Sequence, residues 1–299
     1  MKSLLLRAAK RYEQLSNQVL NQFSPPIIVL MYHRVSDLGA GSGYTVSTAN
    51  FQNQMRYIKQ HFKILRFEDD WRNIDRPSCV ITFDDGYFDN YIIARDFLEQ
   101  EAIPATFFIT TQNIETNNLF WWDKLFLNQD FFERQTGKTI HNLARRLKNS
   151  KPSQQVAFFD RYRALNTAAK ERLVSNYRSM SQEELIKLSQ LKQTTIGAHT
   201  VNHPKLTLLT CEEMLFELSE SKTTLERITG SPVTTCSFPY GSYNEETIAI
   251  CNDIEFQKGA ATGFSRNAYG WTNPFKIPRI SVDDEPIDVF SQKIQQLLN

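Results

Sequence analysis

Two adjacent carboxylates follow a predicted strand and are the first residues that could do chemistry. Asp84 and Asp85, in the segment TFDDGY, come after an apolar run, and Gly86 indicates a turn directly behind them. Neighbouring carboxylates repel each other and raise each other's pKa, whereas a bound cation removes that cost. A solvated Asp-Gly turn is the simpler interpretation of the doublet alone, so a metal site requires further ligands elsewhere in the chain.

Two histidines supply such ligands far downstream. His199 and His203, in the segment HTVNHP, are four residues apart, which on a helix would place both on one face. Pro204 argues against a helix, because a residue before proline is pushed toward extended conformations. We therefore expect the pair at a strand end and in the loop after it. One carboxylate with two imidazoles leaves an open coordination position, as in hydrolytic zinc sites.

The two motifs, TFDDGY followed by HTVNHP, resemble those of the polysaccharide deacetylases, the NodB-homology group or carbohydrate esterase family 4. The resemblance spans about residues 27–281, interrupted by an insertion. It implies that Asp85, His199 and His203 bind a divalent metal, with Zn²⁺ expected and Co²⁺, Ni²⁺ or Fe²⁺ as alternatives. It also implies that Asp84 is the catalytic base.

The reaction implied by the resemblance is the metal-dependent hydrolysis of an N-acetyl group on an N-acetylated sugar. A metal-bound water, whose pKa the cation lowers, attacks the acetamide carbonyl, and Asp84 takes its proton. The backbone N–H of Tyr240 stabilises the oxyanion, and Pro239 and Tyr240 bind substrate. Trp121 and Trp122 could stack on a sugar ring in the substrate site or equally form the core of the insertion.

The general acid departs from the family pattern. Members commonly have a late histidine in this role, but no histidine follows His203. Of His33, His61 and His141, His33 fits best, because LMYH follows a predicted strand and resembles the late motif moved to the front. This permuted order resembles that of the poly-N-acetylglucosamine deacetylases, and barrel closure would bring the first and last strands together. A structural histidine on a turn is the alternative.

A second departure concerns the cation that holds the catalytic base. Most members have an arginine two residues before the proline of the third motif, where this chain has Ser237. Arg279, in the segment IPRIS at the end of the last predicted strand, is the candidate replacement. We therefore expect Arg279 to contact Asp84.

Alternating strands and helices predict an α/β fold, a distorted (β/α) barrel of seven to eight strands. We expect an N-terminal helix at 1–24, a deacetylase-like barrel at 25–299 and a helical insertion at about 116–180. Active sites of such barrels lie where the strands end. Six candidate residues fall at or just past predicted strand ends: His33, Asp84, Asp85, His199, Tyr240 and Arg279.

Composition narrows the partners and the compartment. The chain has 299 residues and a net charge of +1, and no basic cluster interleaved with aromatics indicates nucleic-acid binding. The four cysteines have no C-x-x-C spacing and are expected to be reduced thiols. The N-terminal segment lacks the apolar core of a signal peptide, which predicts a cytoplasmic protein.

The predicted N-terminal helix leaves two interpretations open. It is expected to pack on the barrel, but its basic and apolar residues also suit peripheral contact with a membrane. A cytoplasmic enzyme would act on a lipid-linked saccharide, a glycolipid, a nucleotide sugar or a polysaccharide precursor. The alternatives are a catalytically inactive carbohydrate-binding barrel, or a deacylase of another amide or ester. The sequence does not predict the oligomeric state.

Overall fold

The structure is a computed structural model that describes residues 25–38, 44–114, 116, 119–162, 177–263 and 273–298. The helix predicted at 1–24 lies outside these residues, as do 117–118 and 163–176 of the predicted insertion. Within the described ranges, no helix is both long and apolar enough to cross a membrane.

The described residues form ten strands, which are, in chain order, β1 Ile27–Tyr32, β2 Arg34–Val35, β3 Thr45–Val46, β4 Lys63–Leu65, β5 Ser78–Phe83, β6 Ala105–Ile109, β7 Thr194–Ala198, β8 Thr235–Ser237, β9 Lys258–Ala260 and β10 Ile280–Ser281. They also form ten α-helices, which are α1 Thr48–His61, α2 Phe88–Ile93, α3 Trp121–Phe126, α4 Gln129–Thr136, α5 Ile140–Lys148, α6 Pro152–Arg161, α7 Gln182–Ser189, α8 Cys211–Thr229, α9 Glu245–Asp253 and α10 Ile287–Leu298. Helix α2 continues into a π-helical turn, Ala94–Leu98, and short 3₁₀ turns lie at Leu206–Leu208 and Pro239–Gly241.

Eight of these strands form one parallel sheet in the order β10-β1-β5-β6-β7-β8-β9, with β4 beside the start of β5. The chain before β10 bonds to the other edge, because Ile277 pairs with Ala260 of β9, while Ile280 of β10 pairs with Leu30 of β1. The sheet therefore curls until its first and last strands are neighbours. The predicted α/β fold with a distorted (β/α) barrel is confirmed.

The core explains the continuous apolar runs of the strands. Successive residues of β1 alternate between two clusters, as the period of a strand requires. Ile28 and Leu30 face the surrounding helices, whereas Ile27 and Val29 join a smaller cluster with residues from β4, β5, β6 and β9. Contact among strands so far apart in the sheet places that cluster inside the ring. Both faces of the sheet are thus buried, as is usual for parallel strands.

Side-chain caps define the ends of several helices. Capping boxes open α7 at Ser181 and α8 at Thr210, and α8 ends at Gly230 in the left-handed conformation. Helix α1 is capped by Ser47, whose hydroxyl accepts from the Asn50 N–H.

The described part of the insertion contains helices α3 to α6. Their apolar faces form a separate small core that includes Leu125, Phe132, Ile140, Leu143 and Leu147. The first of these helices begins with Trp121 and Trp122, which lie against the barrel residues described next.

Candidate metal centre and active site

The carboxyl ends of two strands bring the predicted ligands together. Asp84 directly follows β5 and its N–H donates to Tyr32 of β1 at 3.0 Å, while His199 directly follows β7 and its N–H donates to Ile109 of β6 at 3.0 Å. Both residues therefore extend the parallel hydrogen-bonding ladder by one step. The backbone turns directly after each of them, at Asp85 and at Thr200, where φ is positive.

These turns use backbone conformations that favour glycine. Asp85, Thr200, His203 and Tyr240 have φ values of 76°, 66°, 53° and 59°. Such values are uncommon outside glycine, least expected for a β-branched or bulky residue, and concentrate at functional sites. The segment from His199 to His203 is accordingly not helical, as its proline predicted.

Three potential ligands converge in the buried site. Asp85 Oδ1 lies 3.3 Å from His203 Nε2 and 3.6 Å from His199 Nε2. One ligand atom from each residue can be chosen so that all three lie within 4.8 Å of one another. Asp85 Oδ1 is buried without a hydrogen-bond partner among the described residues. A buried carboxylate oxygen facing two imidazole nitrogens suits a divalent cation.

His199 is neutral and correctly oriented for ligation. Its Nδ1 lies 2.9 Å from the Ser237 carbonyl oxygen, which only accepts, so Nδ1 bears the proton and Nε2 keeps its lone pair. Burial lowers the pKa of His199 to about 4, against the attraction of Asp84. For Asp85, burial raises the pKa, but His203, together with His33 and His199, outweighs burial, and the net shift of the pKa is downward.

Arg279 meets Asp84 in the contact expected from the sequence. Its two terminal nitrogens donate to the two Asp84 oxygens at 2.6 Å each, and Nη2 also donates to Ser237 Oγ at 2.7 Å. Burial raises the pKa of Asp84, but the Arg279 guanidinium, together with the nearby His199 and His33, outweighs burial and holds the pKa well below its usual range. Ser237 thus leaves room for a guanidinium from Arg279, the residue directly before β10.

His33 lies beside both carboxylates, on the loop after β1. It is half-buried, its ring packs edge-on to Tyr44 at 5.3 Å, and its charge contributes to the lowered pKa values of Asp84 and Asp85. The other two histidines considered, His61 and His141, are exposed on α1 and α5.

Aromatic side chains from the insertion and from the third motif surround His203. The rings of Trp122 and Tyr240 lie 4.8 and 4.7 Å from its ring, and Trp121 Nε1 donates to the Tyr240 hydroxyl at 3.2 Å. Pro239 is buried in the turn before Tyr240. The two tryptophans therefore border the site, and Trp121 also packs on the core of the insertion.

A buried polar network behind Trp122 is absent from the sequence prediction. Trp122 Nε1 donates to the Tyr87 hydroxyl at 2.7 Å, and that hydroxyl donates to Asp123 at 2.8 Å. Arg34 pairs with Asp89 at 2.9 Å and stacks on Tyr87. Burial raises the pKa of Asp123 to about 7 and that of Asp89 to about 6. This network fixes the aromatic wall against the histidine ligands.

The role of Glu217 on α8 was also not predicted from the sequence. Its carboxylate accepts from the backbone N–H groups of Val201 and Asn202 at 2.9 and 2.8 Å and from the Asn202 amide at 2.7 Å. It thereby holds the loop between the two histidines. A glutamate on the apolar face of α8, between Met214 and Leu218, was the available signal.

Glu217→Ala is expected to weaken metal binding about 10–100-fold, because the loop that presents His203 loses its anchor. Metal affinity is measured by competition with a chromogenic chelator. Glu220→Ala is the matched control, since Glu220 is exposed on the same helix and accepts a hydrogen bond from the Thr224 hydroxyl, not from the loop that carries His203. Equal affinities for the two variants would contradict the anchoring role.

Comparison with known proteins agrees with this geometry. Residues 72–259, more than half of the chain, match the family model described as polysaccharide deacetylase. The chain belongs to the polysaccharide deacetylase family. This family membership makes it a hydrolase, a carbohydrate N-deacetylase. The matched residues include both ligand motifs, whereas His33 and Arg279 lie on either side of them.

Relatives of this polysaccharide deacetylase cover most of the chain. YxkH of Bacillus subtilis, a candidate polysaccharide deacetylase, is 22% identical over 264 residues, which are 86% of this chain and 72% of YxkH. The polysaccharide deacetylase BC0361 from Bacillus cereus is 20% identical, with a TM-score of 0.63 over 91% of this chain and 70% of that one. IcaB from Ammonifex degensii is 16% identical, with a TM-score of 0.61 over 92% and 97%. The two structures share the fold.

Proposed function

We propose that this polysaccharide deacetylase depends on a divalent metal held by Asp85, His199 and His203. The observation that supports it is the convergence of these three buried ligands beside an ionised carboxylate, that of Asp84. Asp84 Oδ2 lies 3.8 Å from His199 Nε2, next to the ligands but paired with Arg279 instead. Asp85 is thus available to bind the cation, and Asp84 is available to accept a proton.

A divalent cation at such a site polarises the amide carbonyl and lowers the pKa of a coordinated water toward 7. Asp84 accepts the proton of the attacking water, since its ion pair with Arg279 keeps it ionised at neutral pH. Arg279 directs all its N–H groups at fixed acceptors, namely Asp84, Ser237, Thr82 and the Ala261 carbonyl. The base is therefore held in one orientation.

The remaining roles fall to residues around the same opening. His33, directly after β1, the strand that neighbours β5, donates a proton to the leaving amine. The backbone N–H of Tyr240, in its left-handed turn, donates to the oxyanion. Trp121, Trp122 and Pro239, with the Tyr240 ring, form the wall on which the sugar packs.

We propose Zn²⁺ as the bound ion, because one carboxylate and two imidazoles with an open position suit it. The same donors accept Co²⁺, Ni²⁺ or Fe²⁺, and availability decides among them. The proposed substrate is an N-acetylated sugar carried on a lipid, a nucleotide or a polysaccharide precursor. The barrel at 25–299 performs the chemistry, and the insertion at about 116–180 forms one wall of the site.

The proposal is tested by acetate release from N-acetylated oligosaccharide, nucleotide-linked and lipid-linked substrates. We expect release by the zinc-loaded protein, none after metal removal, and recovery when metal is returned. His199→Gln is expected to lose both bound metal, measured by elemental analysis, and acetate release. Full metal occupancy without release from any substrate would overturn the proposal and favour a carbohydrate-binding barrel.

A further inference from the structure

Helix α5 of the insertion and the chain around it present basic side chains without acidic partners. Among the described residues, no carboxylate oxygen lies within 4 Å of five of these cations, which are Lys138, Arg145, Arg146, Lys148 and Lys205. The outward face of α5 borders a surface cavity of about 700 Å³ lined by Lys138, Asn142, Arg145, Arg146, Asn149 and Ser150. This basic face is unexpected in a chain whose net charge is only +1.

The basic face reaches the catalytic opening through Lys148. Its Nζ lies 4.7 Å from the centre of the Tyr240 ring, which in turn lies 4.7 Å from the His203 ring. Two contacts, from Lys148 to Tyr240 and from Tyr240 to His203, therefore connect the Lys148 ammonium with a proposed metal ligand. Because Tyr240 belongs to the third motif, α5 contributes this cation to the site from outside the barrel.

Lys148 is not alone at the opening. Lys205, two residues after His203, donates from Nζ to Asn149 at 3.0 Å, and burial and the Lys205 charge together lower the pKa of Lys148. Two ammonium groups held close together repel each other, and a shared anion relieves that repulsion. Ammonium and guanidinium groups that converge in this way bind phosphate oxygens through charge-assisted hydrogen bonds.

In an N-acetylated sugar, an anionic group on the anomeric carbon lies at a short distance from the acetamide. The acetamide sits on the carbon next to the anomeric carbon, so a phosphate ester at the anomeric position lies close to the reacting group. With the acetamide at the histidine ligands, a phosphate that extends past Tyr240 meets Lys148 and Lys205.

We propose that Lys148 and Lys205 bind the phosphate or diphosphate at the anomeric carbon of the N-acetylated substrate. The inference rests on the proposed deacetylase function and names its substrate class. The same diphosphate occurs on a soluble nucleotide and on a polyprenyl lipid, and both are tested separately.

The test compares the double variant Lys148→Gln/Lys205→Gln with the native protein on three substrates. These are uridine-diphosphate-linked N-acetylglucosamine, polyprenyl-diphosphate-linked N-acetylglucosamine and a neutral N-acetylglucosamine oligomer. We expect kcat/KM to fall about 10–100-fold on at least one diphosphate substrate and to stay within about twofold on the neutral one. The substrate with the larger fall identifies the carrier. An equal effect on all three would overturn the proposal.

Lys151→Gln is the matched control, because Lys151 follows the same helix but already pairs with Glu213 at 2.7 Å. It is expected to leave kcat/KM on the diphosphate substrates within about twofold, since its charge is already compensated. A loss as large as that of the double variant would mean that any lysine in this region has the effect, which would overturn the specific assignment.

Calorimetric titration of metal-free protein with inorganic pyrophosphate separates this inference from the proposed function. We expect binding by the native protein and loss of binding in the double variant, whether or not acetate is released. No pyrophosphate binding by the native protein would overturn the inference while leaving the deacetylase function intact. Unchanged pyrophosphate binding with lost binding to phosphatidylglycerol vesicles would overturn it in favour of a membrane-facing surface.

Discussion

Asp84→Asn is expected to lower kcat about 10²–10⁴-fold while one metal ion per chain remains bound. Asparagine keeps the shape of the side chain but cannot accept the proton of the attacking water. The three proposed ligands are untouched, so metal content measured by elemental analysis should match that of the native protein. Turnover near the native rate at full metal occupancy would exclude Asp84 as the base.

Asp89→Asn is the matched control for this change. Asp89 lies four residues after Asp85, is held by an arginine like Asp84, and pairs with Arg34 at 2.9 Å. The control therefore also disturbs a carboxylate–arginine pair near the site but removes no group that faces the ligands. We expect its kcat to stay within a few-fold of the native value, and a loss equal to that of Asp84→Asn would mean that any such disturbance stops turnover.

Arg279→Met is expected to lower the free energy of unfolding by about 3–5 kcal/mol at pH 7, because it leaves the buried Asp84 charge without its partner. The Arg279 residue is only 1% exposed, so water does not replace the lost contact. Turnover should fall as well, since the base loses both its ionised state and its orientation. Urea unfolding and acetate release measure the two effects. Native turnover in Arg279→Met alongside an inactive Asp84→Asn would contradict the role assigned to Arg279.

The effect of Arg279→Met on the free energy of unfolding should change with pH in one direction. The lowered pKa of Asp84 stabilises the native fold above the unfolded pKa of about 4, and this contribution is lost as the pH falls through the lower, folded pKa. In the Arg279→Met variant, burial raises the pKa of Asp84. Protonation of Asp84 at low pH then removes the cost of burying its unpaired charge. The difference in unfolding free energy should therefore narrow as the pH falls toward 4 and below.

The surface ion pair of Arg72 and Asp70 is the control for burial. It is also two-pronged, through Nε at 2.9 Å and Nη2 at 2.7 Å, but the Arg72 side chain is 81% exposed. Arg72→Met is expected to leave the free energy of unfolding nearly unchanged, because water and salt screen an exposed ion pair. A loss as large as that in Arg279→Met would show that burial is not the cause.

The sequence predicted those features that depend on local signals. The strand before Asp84 and the non-helical His199–His203 segment each follow from a few neighbouring residues. The barrel followed from alternating strands and helices. The contact between Arg279 and Asp84 was also predicted, but only because this chain has Ser237 where most family members have an arginine.

Features that depend on packing between distant segments were not predictable in this way. Glu217 is an ordinary helix residue in the sequence, and only the fold reveals which backbone N–H groups it accepts from. The basic face around Lys148 was missed, because Lys148 is 92 residues from Tyr240 in the chain and only the packing of α5 on the barrel brings them together. The last predicted strand was placed at the segment IPRIS, but β10 is confined to Ile280–Ser281, since Ile277 before it bonds to β9 instead.

The closing of the barrel by β10 has a consequence for how the enzyme matures. The proposed metal ligands follow β5 and β7, but the guanidinium that neutralises Asp84 is 195 residues away from it in the chain. Contacts of such long sequence separation form late in folding, and a chain folds during synthesis from its N-terminal side. A nascent chain interrupted before Arg279 would therefore possess its ligands but not a compensated base. Catalytic competence would be acquired in the last step of folding, after nearly all of the barrel has been synthesised.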